Sequence, residues 1–148
     1  RMFLHLHGRI CSGERLKKYE SNEFIFSFIC TLLRDIETEE NENKNMLVQK
    51  AIDLMEQEFK NLDGIQNVAN RLGISQEHFG RLFKAEMNVP PGQYLIKLRI
   101  QCAMQELLNT DDSLEKIAEK CGFSNANYLG KVFKKHVGTT PMQYSNMK

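Results

Sequence analysis

The sequence has no tryptophan, only 3 prolines, and no low-complexity tract. It is therefore neither a Pro/Gly-rich disordered chain nor a fibrous one, and its 41% hydrophobic residues suffice for a core. Its 4 cysteines (Cys11, Cys30, Cys102, Cys121) are widely spaced, with no Cys-x-x-Cys and no nearby histidine pair. That spacing argues against a zinc site or a thiol-redox centre. Cys102 and Cys121 fall at apolar positions of helical patterns and read as small hydrophobes in a reducing, cytoplasmic setting. No long apolar run exists either. The longest, Phe24 to Leu33, is about half of what a bilayer crossing needs. Acidic residues follow it rather than a cleavage site, which excludes a signal peptide. Nor is there a strong excess of charge: the formal total is +1, so only the placement of charges can speak for a polyanionic partner.

What is present is mostly helical periodicity. Residues 1–13 alternate weakly and read as the last strand of a domain lying upstream, consistent with a chain that starts at Arg1 and is part of something longer. From Ser21 to about Glu39 the chain reads as a helix, with Phe24, Phe28, Leu32 and Ile36 at four-residue steps. So broad an apolar face calls for a partner, either missing sequence or a second protomer. Residues 37–45 are charged and Asn-rich and read as a linker or an exposed helix end. A helix from about Met46 to Phe59 follows. Asp63-x-x-Gln66 then offers a capping-box-like start to a short helix ending at Gly73, and Ser75 opens another that runs to about Met87. Pro91 to Asn109 is one long helix of about 28 Å, at 1.5 Å per residue, with a wide apolar stripe that includes Leu108.

The pattern around that helix occurs twice. Val68 to Leu95 aligns with Ile117 to Ser145 at an offset of 49 through Ser75/Ser124, and of 50 from Phe79/Leu129 onward. Matched pairs include Ala69/Ala118, Gly73/Gly122, Gly80/Gly130, Phe83/Phe133, Lys84/Lys134, Pro91/Pro141 and Tyr94/Tyr144. This is an internal duplication. A small residue at a steep helix crossing and a glycine four residues later are what a helix-turn-helix needs. The predicted fold is therefore all-α: two helix-turn-helix subdomains joined by a long linking helix, about seven helices, preceded by an amphipathic N-terminal helix. The predicted boundaries are 1–44 for an N-terminal remnant and 45–148 for the double unit. Within the latter, 63–87 forms the first helix-turn-helix, 91–109 the linking helix and 112–137 the second.

With Ser75 and Ser124 as helix N-caps, the outward residues follow. The second helix of such a motif can lie in a DNA major groove, with the N-terminal part of its outward face at base edges; on that basis the expected base-reading set is Gln76, Glu77, Gly80 and Arg81 in the first helix and Ala126, Asn127, Gly130 and Lys131 in the second. Arg81 suits guanine O6/N7 and Asn127 suits adenine N6/N7. Ser75, Lys84, Asn125, Lys134, Lys135 and Thr140 are expected at the phosphate backbone, Thr140 also opening a capping box with Gln143. Residues 125–148 contain four lysines and no acidic residue. Two features run the other way. Gly80 and Gly130 supply no donor or acceptor, and each costs about 1 kcal/mol of helix propensity. Glu77 repels phosphate unless it accepts from a cytosine N4. His78 and His136 read as packing or backbone contacts rather than metal ligands, and Tyr94 and Tyr144 as core anchors.

The unit A-x3-G-x-S with LFK, the linking helix with Leu98-Arg99, and the block IAEKCGFSNANYLGKVFKKHVGTTPMQY together resemble the AraC (AraC/XylS) family of bacterial transcription regulators, over about residues 46–147. The resemblance implies seven helices, sequence-specific promoter binding to double-stranded DNA, contact with RNA polymerase, no catalysis, no cofactor and no metal. It also implies an N-terminal sensing or dimerising region, of which residues 1–44 are the tail. An effector, where there is one, is expected to bind in that missing region, and a homodimer is expected through residues 21–39. One alternative stays open, a helix-turn-helix used for protein interaction with weak DNA affinity. A repair alkyltransferase would need an activated cysteine, and none of the four has an obvious Cys–His or Cys–Arg setting.

Overall fold

The computed structural model describes the backbone of residues 18–146 and the side chains of residues 25–146. The expected strand in residues 1–13 lies outside the described residues. Seven helices follow one another and no strand occurs among the described residues: α1 (Lys18–Glu58), α2 (Ile65–Arg71), α3 (Gln76–Met87), α4 (Pro91–Asn109), α5 (Leu114–Lys120), α6 (Ala126–Val137) and α7 (Pro141–Ser145). The chain divides into two compact units, one up to Lys44 and the other from Asn45.

In the first unit the structure corrects the expectation for residues 37–45: they are helical, within α1. The stretch holds neither Gly nor Pro, and Glu and Lys are good helix formers. Glu40 and Lys44 pair across one turn at 3.5 Å, a weak contact at two exposed side chains. Ile25, Ile29, Leu32 and Ile36 are all exposed, at helical spacing.

The second unit contains two cores. Val48, Ala51 and Met55 of α1 bury against Val68 and Ala69 of α2, Phe79 and Phe83 of α3, and Leu95 of α4. Ile100, Ala103 and Leu107 of α4 bury against Ile117, Ala118, Cys121, Phe123, Leu129 and Phe133. The linking helix is thus a wall of both cores as well as a spacer between them. Its expected stripe holds, except that Leu108 is exposed. Tyr94 and Tyr144 do anchor the repeat, each edge-on to its own phenylalanine: Phe83–Tyr94 at 5.5 Å and Phe133–Tyr144 at 5.4 Å between ring centroids. The Tyr94 hydroxyl donates to Glu56 at 2.8 Å. Burial, then that carboxylate, push its pKa up to about 12.

Two contacts lock the cores together. Arg99, half-buried on α4, donates through Nε to the Phe59 carbonyl at 2.9 Å and through its terminal nitrogen to the Leu62 carbonyl. It thereby satisfies carbonyls just beyond the end of α1, where a helix leaves its last C=O groups without partners. Burial lowers its pKa, but a guanidinium starts so high that it stays charged. The second contact is at Gly122, whose backbone lies so close to Lys60 that an added Cβ would sit 2.6 Å from the Lys60 carbonyl oxygen.

Candidate nucleic-acid interface

Each helix-turn-helix is assembled by short local rules. Ala69 and Ala118 are both fully buried at the crossing of the two helices of a unit. Gly73 and Gly122 then take φ of +70° and +77°, a region that an L side chain occupies only under strain. The backbone N–H of the next residue, Ile74 or Phe123, bonds back to the carbonyl of Ala69 or Ala118. That closes the turn and aims the chain into the outer helix.

The helix starts correct two expectations. Ser75 caps α3, accepting from the His78 N–H at 3.2 Å. In the second unit the cap is Asn125, not Ser124: Asn125 Oδ1 accepts from the Tyr128 N–H at 2.8 Å. Ser124 instead accepts from Asn125 Nδ2 at 3.4 Å. The extra residue of the second copy therefore lies before the cap, between Gly122 and Asn125. The amide of Asn accepts at the N2 or N3 position as well as a serine hydroxyl does, so the chain spends its additional residue in the turn. The other correction concerns α2, which begins after Gly64 with no side-chain cap, so the Asp63 box does not form. Gln66 donates to Asn70 one turn along instead. The Thr140–Gln143 box does form. Thr140 and Asn125 thus hold helix ends with the same oxygens that were expected at phosphates.

With the caps aligned, the expected reading residues fall into register at a constant offset of 50: Gln76 with Ala126, Glu77 with Asn127, Gly80 with Gly130, Arg81 with Lys131, Lys84 with Lys134. On α3, Gln76, Glu77, Arg81 and Lys84 are exposed and Gly80 half-buried, while Phe79 and Phe83 face the core. On α6, Asn127, Lys131, Lys134 and Lys135 are exposed, Ala126 and Gly130 half-buried, and Leu129 and Phe133 face the core. Neither Gly80 nor Gly130 would meet any atom within 4 Å of an added Cβ, so nothing in the protein's own packing demands a glycine there.

Charge pairing separates the outer helices from the inner ones. Arg71 pairs with Glu58 at 2.7 Å, and Lys116 with Asp112 at 2.7 Å. Lys120 reaches both Glu106 and Asp112. Those two partners raise the Lys120 pKa, and Lys116 and Lys120 lower that of Asp112. Arg81, Lys84, Lys131, Lys134 and Lys135 have no carboxylate partner among the described residues. Cations on the inner helices are neutralised; those on the outer helices are available. No cluster among the described residues could hold a metal ion, and none of the described helices is long and apolar enough to cross a membrane.

Sequence reasoning missed Tyr128 and the distant contacts of Arg99 and Gly122. Tyr128, in the first turn of α6, is exposed and lies edge-on to Phe123 at 5.9 Å. It lines, with Lys60, Asp63, Arg99 and Glu119, a groove of about 710 Å³ beside the start of α6. Arg99 and Gly122 tie the two helix-turn-helix cores together through contacts with residues 59–62, which no local pattern announces.

A helix-turn-helix domain family matches residues 68–147, which spans both units. The chain belongs to the AraC-type helix-turn-helix family. It is 36% identical over 80 residues to the HTH-type transcriptional regulator Rv1931c of Mycobacterium tuberculosis, covering 54% of this chain and 31% of that protein. Over 136 residues it is 26% identical to the HTH-type transcriptional activator RhaS of Escherichia fergusonii, covering 91% of this chain and 49% of that protein. The chain thus spans a third to a half of these relatives. Among solved structures it is similar to the DNA-binding domain of AdpA, a global transcriptional factor, in complex with a target DNA. The TM-score is 0.61 at 27% identity, covering 68% of this chain and 90% of that one.

Proposed function

We propose that residues 45–148 are the DNA-reading part of a transcription regulator and that α3 and α6 enter successive major grooves of one duplex. The observation that carries this reading is the pair of outer helices in matched register, each presenting unpaired cations and polar tips. Successive major grooves on one face of B-DNA recur at about 34 Å. A linking helix of about 28 Å plus its flanking turns is the right order to hold two reading helices there. Base edges are read by Gln76, Glu77 and Arg81 on one side and Ala126, Asn127 and Lys131 on the other. Gly80 and Gly130 allow close approach of the duplex. Lys84, Lys134 and Lys135 hold phosphates, joined by Ser75, Asn125 and Thr140 through the backbone N–H groups of the helix ends they cap. The names of RhaS and Rv1931c, and the AdpA complex with DNA, support the same assignment. Residues 1–44 belong to a separate region, whose exposed Ile25, Ile29, Leu32 and Ile36 suit pairing with a second copy. RNA polymerase is the expected partner at the promoter, effector control comes from sequence outside this stretch, and the setting is cytoplasmic.

Selection of bound sites from a random duplex pool tests the reading. The expected product is an asymmetric site with two short elements about one helical turn apart. Arg81→Ala and Asn127→Ala are each expected to cost about 1–3 kcal/mol at one base pair. Lys134→Ala is expected to weaken all sequences alike and flatten the salt slope by about one unit. An Arg81→Ala protein that kept both its affinity and its base preference would sink the assignment.

A further inference from the structure

The two cores divide the linking helix between them along its length. Leu95 belongs to the first core, and Ile100, Ala103 and Leu107 to the second. Arg99 stands where one core gives way to the other. Its guanidinium reaches the connection between α1 and α2 and donates to the carbonyls of Phe59 and Leu62, both of which pack in the first core. Between those two residues, the Lys60 backbone lies against that of Gly122, in the turn of the second helix-turn-helix. Residues 59–62 are thus held by the linking helix and by the second turn at once. The space around this junction is open: a groove of about 710 Å³ runs between Asp63 on one side and Glu119 and Tyr128 on the other, with Arg99 in its wall.

We propose that Arg99 is a positioning residue for DNA reading. By fastening residues 59–62 to α4 it fixes α3 and α6 relative to each other, so that the protein accepts one spacing between the two elements of its site. This rests on the assignment of α3 and α6 as the helices that enter the duplex.

The mechanical argument starts from the shared helix. Each helix-turn-helix leans on its own half of α4, and long helices bend gently along their length. A link on the helix axis does little against such bending, or against one core rolling about the rod. A link set to the side opposes both, and the open groove leaves that work to the few contacts that cross the junction. Arg99 suits the task because its planar fork donates in fixed directions, and a charged donor makes a stronger hydrogen bond than a neutral one. The path to the reading helix is short. Gly122, against which Lys60 lies, is three residues before the Asn125 cap of α6. The duplex is strict in both coordinates that the link controls. One added base pair moves the second element about 3.4 Å along the axis and about 35° around it.

The test compares the wild-type chain with Arg99→Met, which keeps an apolar stem but donates nothing. Affinities are measured for the selected duplex and for duplexes with one base pair inserted or removed between the two elements. Wild type should lose about tenfold or more at either altered spacing, as if one or two base pairs were mismatched. Arg99→Met should lose less than about threefold, so the spacing penalty shrinks more than the affinity for the original duplex. Arg99→Lys should fall between the two, since one ammonium does not reproduce the fork, and it carries the test if Arg99→Met does not fold. Spin labels on noncanonical side chains at Glu86 of α3 and His136 of α6, both exposed, read the same property without DNA. The distance distribution should be narrow in wild type and broader in the variants. A folded variant that melts earlier yet keeps the wild-type spacing penalty would overturn the proposal and leave Arg99 a matter of stability alone. So would a variant whose label distances are as narrowly distributed as those of wild type. A wild-type chain that selects no duplex would instead count against the DNA reading, and the label distances would still decide whether Arg99 fixes the two helices.

Discussion

Both outer helices begin on a polar cap and end on a residue in the left-handed region, Asn88 in the first unit and Gly138 in the second. Their faces diverge from there. The outer helix of the first unit carries Glu77 and Glu86 beside Arg81 and Lys84, and its last turn holds one basic residue. That of the second carries no acid, and its last turn holds Lys134, Lys135 and His136. Basic residues in a last turn also complement the negative end of the helix dipole. On the proposed reading, the second helix-turn-helix supplies most of the sequence-independent attraction to phosphate, and the first discriminates through Glu77 and Arg81. The two copies of one fold thus differ in the charge of their outer faces through a handful of surface residues.

The turns diverge as well, and substitutions there should break the comparison most strongly. Gly122→Ala meets both a positive φ and the Lys60 backbone, whereas Gly73→Ala meets the same φ with open space around it. Strain of about 1–2 kcal/mol is expected at Gly73. Overpacking adds about 1–3 kcal/mol at Gly122. Urea unfolding of both variants measures the difference, and equal losses would mean that the Lys60 contact yields freely.

Next in size are the caps. Asn125→Ala and Ser75→Ala should each cost about 1 kcal/mol, while Ser124→Ala should stay within about 0.5 kcal/mol. Denaturant midpoints distinguish these, and a larger loss at Ser124 would restore it as the cap. The mid-helix glycines should give the opposite sign. Gly80→Ala and Gly130→Ala are expected to stabilise by about 0.5–1 kcal/mol, since the new methyl groups meet nothing in the protein. If the duplex lies against them, DNA affinity falls while thermal stability rises.

The smallest expected effect is the pH response of the Asp112 pairing. Its folded pKa is depressed by Lys116 and Lys120, so its contribution is present above the unfolded value of about 3.9 and lost as the pH falls through the lower folded value. An Asp112→Asn protein should therefore show a shallower acid limb in stability against pH, with little change near neutrality.

The sequence by itself determined the all-α class, the duplication, the bounds of the linking helix and the outward faces of α3 and α6. Helical periodicity and the Ala/Gly spacing are local signals, read without knowing what packs on what. It misplaced one cap by a residue, because Ser124 and Asn125 are equally good acceptors and only the path of the turn chooses between them. Residues 37–45 read as a linker or an exposed helix end because they lack apolar residues, whereas their Glu and Lys content lets the helix run straight through them. Tertiary structure alone decided the rest. Arg99 finds carbonyls 37 and 40 residues away in sequence, and Gly122 makes room for a distant backbone. Such contacts depend on how two cores share one helix, and no pattern along a single chain segment encodes that.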